Sequence, residues 1–534
     1  MNSHKTVTCW LILVTLLPTW LYGQRRASEP FDVLHYNFSI GLTDESDIIK
    51  GEAEIQFQLP HTDVDTLTLD LVAQIKEGKG MKVVSVNIWT DPVNFSQEEE
   101  TLKIFGNLNP VQKDTLSLKI AYMGAPQDGL IISESKFGRR TFFSDHWPNR
   151  VHHWLPVVDH PSDKATCEFR VTAPSLYSVV GNGTLLEESN LGDGSKFTHW
   201  KQNQPIPTKV MAMGVANFSI QYTGDVKGVP VSSWVFPENR TEGFYDYAVG
   251  KDILQYFTRM LGDYPFDKLA HIQSKTKWGG MENASAIFYT EKSVTGNRKY
   301  EKTIAHETAH QWFGNYVTES DWKDIWLSEG FATYLTHLYT ESKYGREQME
   351  HDMKVDTEKI KRFITKYPNS SVVENESTNL NYLINANSYQ KASWILHMLR
   401  HETGDDAFFE ILHVYLKKFP YANASSKDFV EIVNHVTGNK YGWFFDQWLK
   451  RPGIPQVNFS WAYDKNKVNL VFTQADGPYM LPLDIQLEYE DGEIKKLKSG
   501  ISEKTETITI KSKDLPSAIT IDPDCWLLAE VNEE

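Results

Sequence analysis

The spacing of apolar residues changes twice along this 534-residue chain. Polar and apolar residues alternate in the first part, for example in Glu52–Leu59, which is typical of strands with one buried face. From about residue 240 apolar residues instead recur three or four positions apart, as in Asp405–Lys417, which indicates amphipathic helices. Alternation returns after the break at Arg451–Pro455, for example in Leu481–Tyr489.

This order predicts a multidomain α+β protein. We expect an N-terminal antiparallel β domain at 27–225, a mainly helical domain at 226–450 and a small C-terminal β-sandwich domain at 454–534. Several domains are also expected from length, because single cores seldom grow beyond about 250–300 residues. The predicted helices are 245–261, 299–316, 325–344, 388–401, 405–417 and 426–435.

The N-terminus is predicted to be a signal peptide, residues 1–23. Its apolar run, Cys9–Tyr22, is interrupted by Pro18 and is too short to span a bilayer comfortably. We therefore expect a secreted or periplasmic protein without stable membrane insertion. The alternative is a protein anchored in the membrane by an uncleaved N-terminal segment.

Charge and cysteine content narrow the range of partners. The formal net charge is −16, which argues against nucleic acid as the main partner. After loss of the signal peptide only Cys167 and Cys525 remain, and they could either pair or stay as buried free thiols. The oligomeric state is not predicted by the sequence.

The stretch HETAHQWFG, residues 306–314, is the strongest chemical signal. His306 and His310 are four positions apart in a predicted helix, so that both imidazoles lie on one face. Two such imidazoles suit Zn²⁺, and the adjacent Glu307 can reach a water beside the ion. A second His-Glu-Thr occurs at residues 401–405, but there Gly404 predicts a helix end and Asp405 occupies the position of the second His.

A catalytic zinc ion needs a third protein ligand. The spacing of metzincins would require Gly and His where Phe313 and Tyr316 stand, which excludes that class. Glu329 is the candidate, because it lies among Trp326 and Phe331 in a second predicted helix. A buried carboxylate in such apolar surroundings needs a partner.

These motifs together resemble the M1 (aminopeptidase N-like) family of gluzincins. HETAH, then eighteen residues, then Glu329 matches the zinc motif of that family, although Ser328 stands where the family usually has Asn. The segments Gly279–Asn283 (GGMEN) and Tyr389–Lys391 (YQK) match two further family motifs. Family members often have a Gln near residues 142–145 that helps hold the substrate amine, and this chain has FFSD there.

The resemblance implies a thermolysin-like catalytic domain that holds one Zn²⁺ through His306, His310 and Glu329. Glu307 would be the catalytic base, and Tyr389 would stabilise the oxyanion. The implied substrate-binding residues are Gly279, Gly280, Met281, Glu282 and Asn283, with Glu282 on the free amine of the substrate. The resemblance covers residues from about 30 to the end, and the large C-terminal helical domain of many members is not expected.

The implied function is a zinc aminopeptidase that removes the first residue from peptides with a free N-terminus. Two alternatives stay open. An epoxide hydrolase related to leukotriene A4 hydrolase would share the GGMEN segment, although that branch is usually cytosolic. An inactive peptide-binding relative would be expected to lose one of the functional residues, and all of them are present.

Overall fold

The computed structural model describes residues 31–58, 64–75, 78–108, 115–373 and 379–534. The predicted signal peptide, residues 1–23, lies outside this part of the chain. Among the described residues, no helix has both the length and the apolar composition needed to cross a membrane.

The first part of the chain folds into sheets because its alternating sequence gives each strand one apolar face. In the strand Ile49–Gln58, Ala53, Ile55 and Phe57 are buried, whereas Glu54 is exposed. The strands of this part are β1 (Asp32–Gly41), β2 (Ile49–Gln58), β3 (Val64–Asp70), β4 (Gly80–Ile88), β5 (Asp91–Pro92), β6 (Asn94–Glu98), β7 (Thr101–Leu108), β8 (Thr115–Ala125), β9 (Leu130–Glu134), β10 (Arg140–Ser144), β11 (Lys164–Pro174), β12 (Ser178–Gly181), β13 (Thr184–Asn190), β14 (Ser195–Pro207) and β15 (Met213–Ala216).

The largest sheet of this part has the strand order β13-β14-β11-β1-β2-β8-β4-β5. The expectation of an antiparallel domain is corrected at one place, because β1 and β11 run parallel with Phe38 opposite Phe169. The parallel pairing is possible because a long stretch of chain, 42–163, separates the two strands. Smaller sheets are formed by β12-β15-β10-β9 and by β3-β7-β6.

The middle part combines a five-stranded sheet with helices. Its sheet has the order β16-β17-β18-β20-β19 and begins seven residues before residue 226, where we expected this domain to start. The elements are β16 (Ser219–Val226), β17 (Val229–Val235), α1 (Arg240–Tyr247), α2 (Val249–Leu261), β18 (Leu269–Ser274), β19 (Gly280–Met281), β20 (Ala286–Thr290), α3 (Glu301–Ala309), β21 (Thr318–Glu319), α4 (Trp326–Tyr344), α5 (Arg346–Lys366), α6 (Ala392–Thr403), α7 (Asp405–Lys418), β22 (Asn423–Ala424), α8 (Ser426–Thr437) and α9 (Gly442–Lys450).

The helix predicted at 299–316 is much shorter in the structure. Helix α3 ends at Ala309, and His310 follows it in helical conformation as the C-cap. The chain then turns at Gly314, whose φ of 118° no helix can accept, and the Gly314 N–H donates to Val317 O at 2.8 Å. The prediction of a helix continuing through Tyr316 is therefore wrong.

Two other differences concern α5 and the start of α6. Helix α5 was not predicted from the sequence, because this 21-residue helix is mostly polar and has only a narrow buried stripe at Met349, Met353 and Ile360. Helix α6 begins at Ala392 instead of 388, because residues Asn387–Lys391 form one turn of π-helix. Such insertions often occur at functional sites.

The last part of the chain forms two further sheets, with the orders β27-β24-β23-β29 and β26-β25-β28. Leu470 of the first sheet and Leu483 of the second are buried in the same apolar cluster. That the sheets form a β-sandwich stays a prediction. The strands are β23 (Gln456–Asp464), β24 (Lys467–Gln474), β25 (Leu481–Glu488), β26 (Ile494–Ile501), β27 (Thr505–Lys511), β28 (Ala518–Ile521) and β29 (Glu530–Glu533).

The second His-Glu-Thr sequence lies where this last part meets the helices. Helix α6 ends at Thr403, and Gly404 with a φ of 79° separates it from α7, as predicted. His401 Nε2 lies 2.9 Å from Asp484 Oδ2, and its ring stacks on Trp526. This histidine therefore makes a structural contact between α6 and the C-terminal strands.

Candidate active site

Three side chains from α3, its C-cap and α4 meet at one point. His306 Nε2 lies 3.1 Å from His310 Nε2 and 3.3 Å from Glu329 Oε2, and the third edge, from His310 Nε2 to Glu329 Oε2, is 3.2 Å. Ligand atoms at about 2.0–2.2 Å from a tetrahedral Zn²⁺ lie roughly 3.3–3.6 Å apart. The donor set and its spacing therefore fit a zinc ion with an open fourth position.

The early end of α3 fixes the tautomer of His310. Because the chain turns after this residue, the carbonyl of Phe313 comes back to within 3.0 Å of His310 Nδ1. The Nδ1–H donates to that carbonyl, so Nε2 is the nitrogen that faces the donor triangle and can bind a metal ion once it has lost its proton. Ser328 Oγ lies 3.1 Å from the same Nδ1, so the residue that replaces the usual Asn still contacts this histidine.

Glu329 is brought to the triangle by the first turn of α4. This helix is buried from Trp326 to Thr340, and Glu329 itself is 2% exposed. Burial alone would raise the pKa of its carboxyl, but the charges of His310 and His306 outweigh burial and lower this pKa. Conversely, Glu329 raises the pKa of His310 to about 9 against the effect of burial. The two groups stabilise each other in charged form.

Glu307 lies beside the triangle and against Gly280. A Cβ atom on Gly280 would lie only 2.3 Å from Glu307 Oε1, so that only glycine allows this close approach. Burial raises the pKa of Glu307 well above its ordinary value; the charge of His310 opposes this effect, and the charges of Glu282 and Glu329 add to it. A carboxyl in this setting can both accept a proton and hold it for later donation.

The segment Gly279–Asn283 is held next to α3 by two amide side chains. The carbonyl of Glu282 accepts hydrogen bonds from Gln311 Nε2 at 3.0 Å and from Asn315 Nδ2 at 2.6 Å. The carboxylate of Glu282 is 3% exposed, and its Oε1 has no hydrogen-bond partner among the described residues. An unpaired buried carboxylate is costly unless a cationic partner binds it.

The five predicted substrate-binding residues do not all reach the same cavity. Gly279, Gly280 and Glu282 line a cavity of about 250 Å³ that also contains the donor triangle. Met281 is completely buried in the apolar cluster beneath it, and Asn283 is 1% exposed and does not line the cavity. Their side chains therefore support the segment from behind.

Tyr389 forms another wall of the cavity. It lies in the π-helical turn, and its ring stacks on His306 with centroids 5.9 Å apart. Burial raises the pKa of Tyr389 far above its ordinary value, and the charges of Glu329 and Glu282 add to this effect. The hydroxyl therefore stays protonated and can donate a hydrogen bond.

The turn that carries Tyr389 is tied to the segment between the helices and the last strands. Lys391 Nζ is buried and donates to the carbonyls of Arg451 at 3.0 Å and Gly453 at 2.9 Å. Burial lowers the pKa of this lysine to about 7. The two carbonyl oxygens take the place of the water molecules that would hydrogen-bond to an exposed lysine.

Sequence reasoning missed three apolar residues of the cavity wall. Trp147 comes from the N-terminal β part, Trp278 precedes the GGMEN segment and Ile384 precedes the π-helical turn. No motif or period marks them in the sequence. A second cavity, of about 400 Å³, adjoins the first and shares Thr303, His306 and Tyr389 with it.

The two cysteines left after the predicted signal peptide, Cys167 and Cys525, are free and buried. Of the two alternatives left open by the sequence, the structure has the free thiols. Burial raises the pKa of Cys167 far above its ordinary value and that of Cys525 to about 12, so neither is a reactive thiolate at neutral pH.

Comparison with known proteins agrees with these motifs. Residues 33–210 match the Peptidase M1 N-terminal domain, and residues 245–448 match the Peptidase family M1 domain. Similar proteins include a leucyl aminopeptidase of Saccharolobus solfataricus (24% identity, covering 85% of this chain and 58% of the relative). Others are a glutamyl aminopeptidase of Homo sapiens (26%, covering 73% and 43%) and aminopeptidase 2 of Candida albicans (24%, covering 81% and 49%).

The chain spans about half the length of these relatives. The two family models together match most of the described chain, from the first strands to helix α9. The donor triangle, Glu307 and the GGMEN segment all belong to the matched helical part. On this evidence, the chain belongs to peptidase family M1.

Proposed function

We propose that this protein is a zinc-dependent aminopeptidase that hydrolyses the bond after the first residue of a peptide. The observation that carries the proposal is a single cavity that contains both a His-His-Glu donor triangle and an unpaired buried carboxylate. The triangle suits chemistry on a carbonyl, and the carboxylate suits a free amine. Together they imply a fixed distance between the amine and the bond that is broken.

His306, His310 and Glu329 would hold the zinc ion. When bound, Zn²⁺ supplies a Lewis acid and lowers the pKa of a water molecule. The chain contributes the orientation of this site, because His310 Nδ1–H is held by the carbonyl of Phe313 at 3.0 Å. Outer contacts of this kind keep a ligating imidazole in the required tautomer.

Glu307 is the proposed general base and acid. It would take a proton from the attacking water and return it to the nitrogen of the leaving amine. Its position against Gly280 supports this role, because the close contact limits where the carboxyl can lie. Tyr389 would donate its hydroxyl hydrogen to the oxyanion, a contact worth about 3–4 kcal/mol in comparable sites.

Glu282 is the proposed anchor of the substrate amine. Its unpartnered Oε1 would accept a charge-assisted hydrogen bond from the N-terminal ammonium group. Gln311 and Asn315 hold the backbone carbonyl of this residue, which fixes the point from which its side chain extends into the cavity. A peptide whose amine is fixed there can present only its first peptide bond to the triangle.

The part of the substrate that follows its first residue would extend into the second cavity. That cavity shares His306 and Tyr389 with the first and is lined by polar residues such as Thr336 and His337. Glu282 does not line it. The first cavity would therefore receive the first residue of the peptide, and the second would receive the residues that follow.

One short peptide tests the proposal in two forms, with a free and with an acetylated N-terminus. We expect release of the first residue from the free form only, and we expect a zinc chelator to abolish it. Cleavage of both forms, or cleavage in the middle, would contradict the role of Glu282. Zinc binding without any cleavage would favour a peptide-binding relative or, if an epoxide substrate is opened, an epoxide hydrolase.

A further inference from the structure

The cavity has an apolar wall that the proposed chemistry does not use. Trp147, Trp278 and Ile384 line it together with Glu282 and the donor triangle. All three belong to or pack against one apolar cluster, in which Trp147 is 4% exposed. The α-carbon of a first residue is bonded to both its amine and its scissile carbonyl, so its side chain must project into this same cavity.

The indole of Trp147 is fixed from behind. It stacks on Trp322 with ring centroids 5.2 Å apart and an interplanar angle of 25°. Lys209 Nζ lies 5.2 Å from the ring centroid of Trp147 and 5.5 Å from that of Trp322, and it forms a buried ion pair with Glu319. A cation over desolvated indole rings stabilises such a stack.

A second set of contacts joins the loops that carry Trp147 and Trp278. Asp145 Oδ1 accepts from Arg150 Nη2 at 2.7 Å, and Asp145 Oδ2 accepts from the backbone N–H of Lys277 at 3.0 Å. Arg150 Nε in turn donates to the carbonyl of Trp147 at 2.8 Å. The Trp147 indole and the backbone next to Trp278 are therefore held in place before any substrate binds, which favours selectivity.

The charged side chains of the cavity add a second constraint to that of the apolar wall. Glu282, Glu307 and Glu329 line it, and none of the described residues that line it is Lys or Arg. Lys209, the buried cation that lies over the Trp147 ring, is already paired with Glu319. The proposed zinc ion would face the scissile carbonyl, so an aspartate or glutamate side chain of a substrate would be buried at this wall without a Lys or Arg partner among the described residues that line the cavity, which is unfavourable.

We propose that Trp147 is a specificity-determining residue that selects peptides beginning with a large apolar residue and disfavours those beginning with an acidic one. This inference rests on the proposed aminopeptidase function. It assigns the first side chain of the substrate to the space between Glu282 and the wall formed by Trp147, Trp278 and Ile384. Asp145 is the positioning residue that keeps the wall in place.

The first experiment uses the wild-type protein loaded with zinc. Five amide substrates are compared, each of which contains a single amino acid: Leu, Phe, Ala, Glu or Arg. The kcat/KM of each substrate measures how well the protein accepts that amino acid as the first residue. We expect Leu and Phe to exceed Ala by at least about tenfold and Glu by about 100-fold. Cleavage of none of them would contradict the proposed function itself. Cleavage with Glu or Ala preferred over Leu would overturn the inference about the wall and leave the proposed function standing.

Variants then assign the selectivity to the indole. Trp147→Ala should reduce the Leu-to-Ala ratio of kcat/KM by about tenfold, and Trp147→Phe, which preserves an aromatic ring in the stack, should reduce it by about threefold. The matched control is Trp234→Ala, because Trp234 packs against the same cluster but does not line the cavity. An unchanged ratio in both Trp147 variants, measured on folded protein with its full zinc content, would overturn the role of this residue.

Discussion

Replacing Gly280 with alanine should damage catalysis far more than folding. The added Cβ would lie 2.3 Å from Glu307 Oε1 and 2.5 Å from both Glu307 Cδ and Cγ. Non-bonded heavy atoms prefer about 3.5–4.0 Å, so the carboxyl group must retreat by about 1 Å. It can do so because it is the end of a flexible side chain, and the backbone of Gly280 has no positive φ that an alanine would strain.

The displaced carboxyl group of Glu307 is the proposed general base. Its role in the reaction therefore determines how far the rate should fall. A misplacement of about 1 Å at a reacting group costs on the order of 100-fold in rate. This corresponds to about 2.7 kcal/mol of transition-state stabilisation. Because zinc binding does not involve Glu307 in our proposal, we expect Gly280→Ala to lower kcat by about 100-fold with an unchanged zinc content.

The adjacent glycine is a matched control. A Cβ on Gly279 would meet only Thr303 Cγ2, at 3.9 Å, which is an ordinary contact. Gly279→Ala therefore leaves Glu307 in place, and its effect should be confined mainly to KM, since this residue lines the cavity. Steady-state kinetics on a leucine amide, with thermal unfolding and zinc analysis of each variant, separate these outcomes. If Gly280→Ala keeps kcat within about threefold of the wild-type value, the placement of Glu307 as general base is refuted.

Three further predictions concern charge. Because Glu329 raises the pKa of His310 to about 9, zinc must displace a proton from His310 below that pH. Zinc affinity should thus fall by about tenfold for each pH unit below 9. Competition with a chelator at several pH values measures this affinity. An affinity that does not change with pH would contradict the prediction. Glu282→Gln should lower kcat/KM for free-amine substrates by about 100-fold, because it removes the charge from the amine anchor. If this variant lost zinc to the same extent as it lost activity, the loss of activity would reflect damage to the metal site and not to the amine anchor. Lys209→Met should lower the free energy of unfolding by about 3–5 kcal/mol, since it leaves Glu319 buried without its partner; denaturant unfolding measures it, and a double variant with Glu319→Gln should recover part of the loss.

The clustering of the donor triangle and Glu307 could be predicted because these residues are marked by local sequence patterns. His306, Glu307 and His310 share one turn of helix, and the apolar neighbours of Glu329 mark it as a buried carboxylate. The end of α3 could not be predicted in the same way. The apolar pattern continues through Phe313, and it does not encode the positive φ of Gly314 or the short-range hydrogen bond from His310 Nδ1–H to the Phe313 carbonyl.

The apolar wall was beyond sequence reasoning for a different reason. Trp147 and Trp278 are 131 positions apart and meet only because the N-terminal sheets pack against the helical part. Their link, Asp145, is an ordinary acidic residue until the fold brings the backbone of Lys277 to it. Contacts of this kind depend on packing between parts of the chain, which neither periodicity nor motif spacing encodes.

The hydrogen bonds of Lys391 determine where this protein can be cut into fragments that keep the proposed active site. A fragment cut after helix α9 would lose the carbonyls of Arg451 and Gly453 and leave a buried ammonium group without acceptors, two positions from Tyr389. The same fragment would lose Trp526 and Asp484, which contact His401 near the other end of α6. We therefore expect a fragment that keeps the proposed active site intact to include the C-terminal strands, even though none of their described residues lines the cavity.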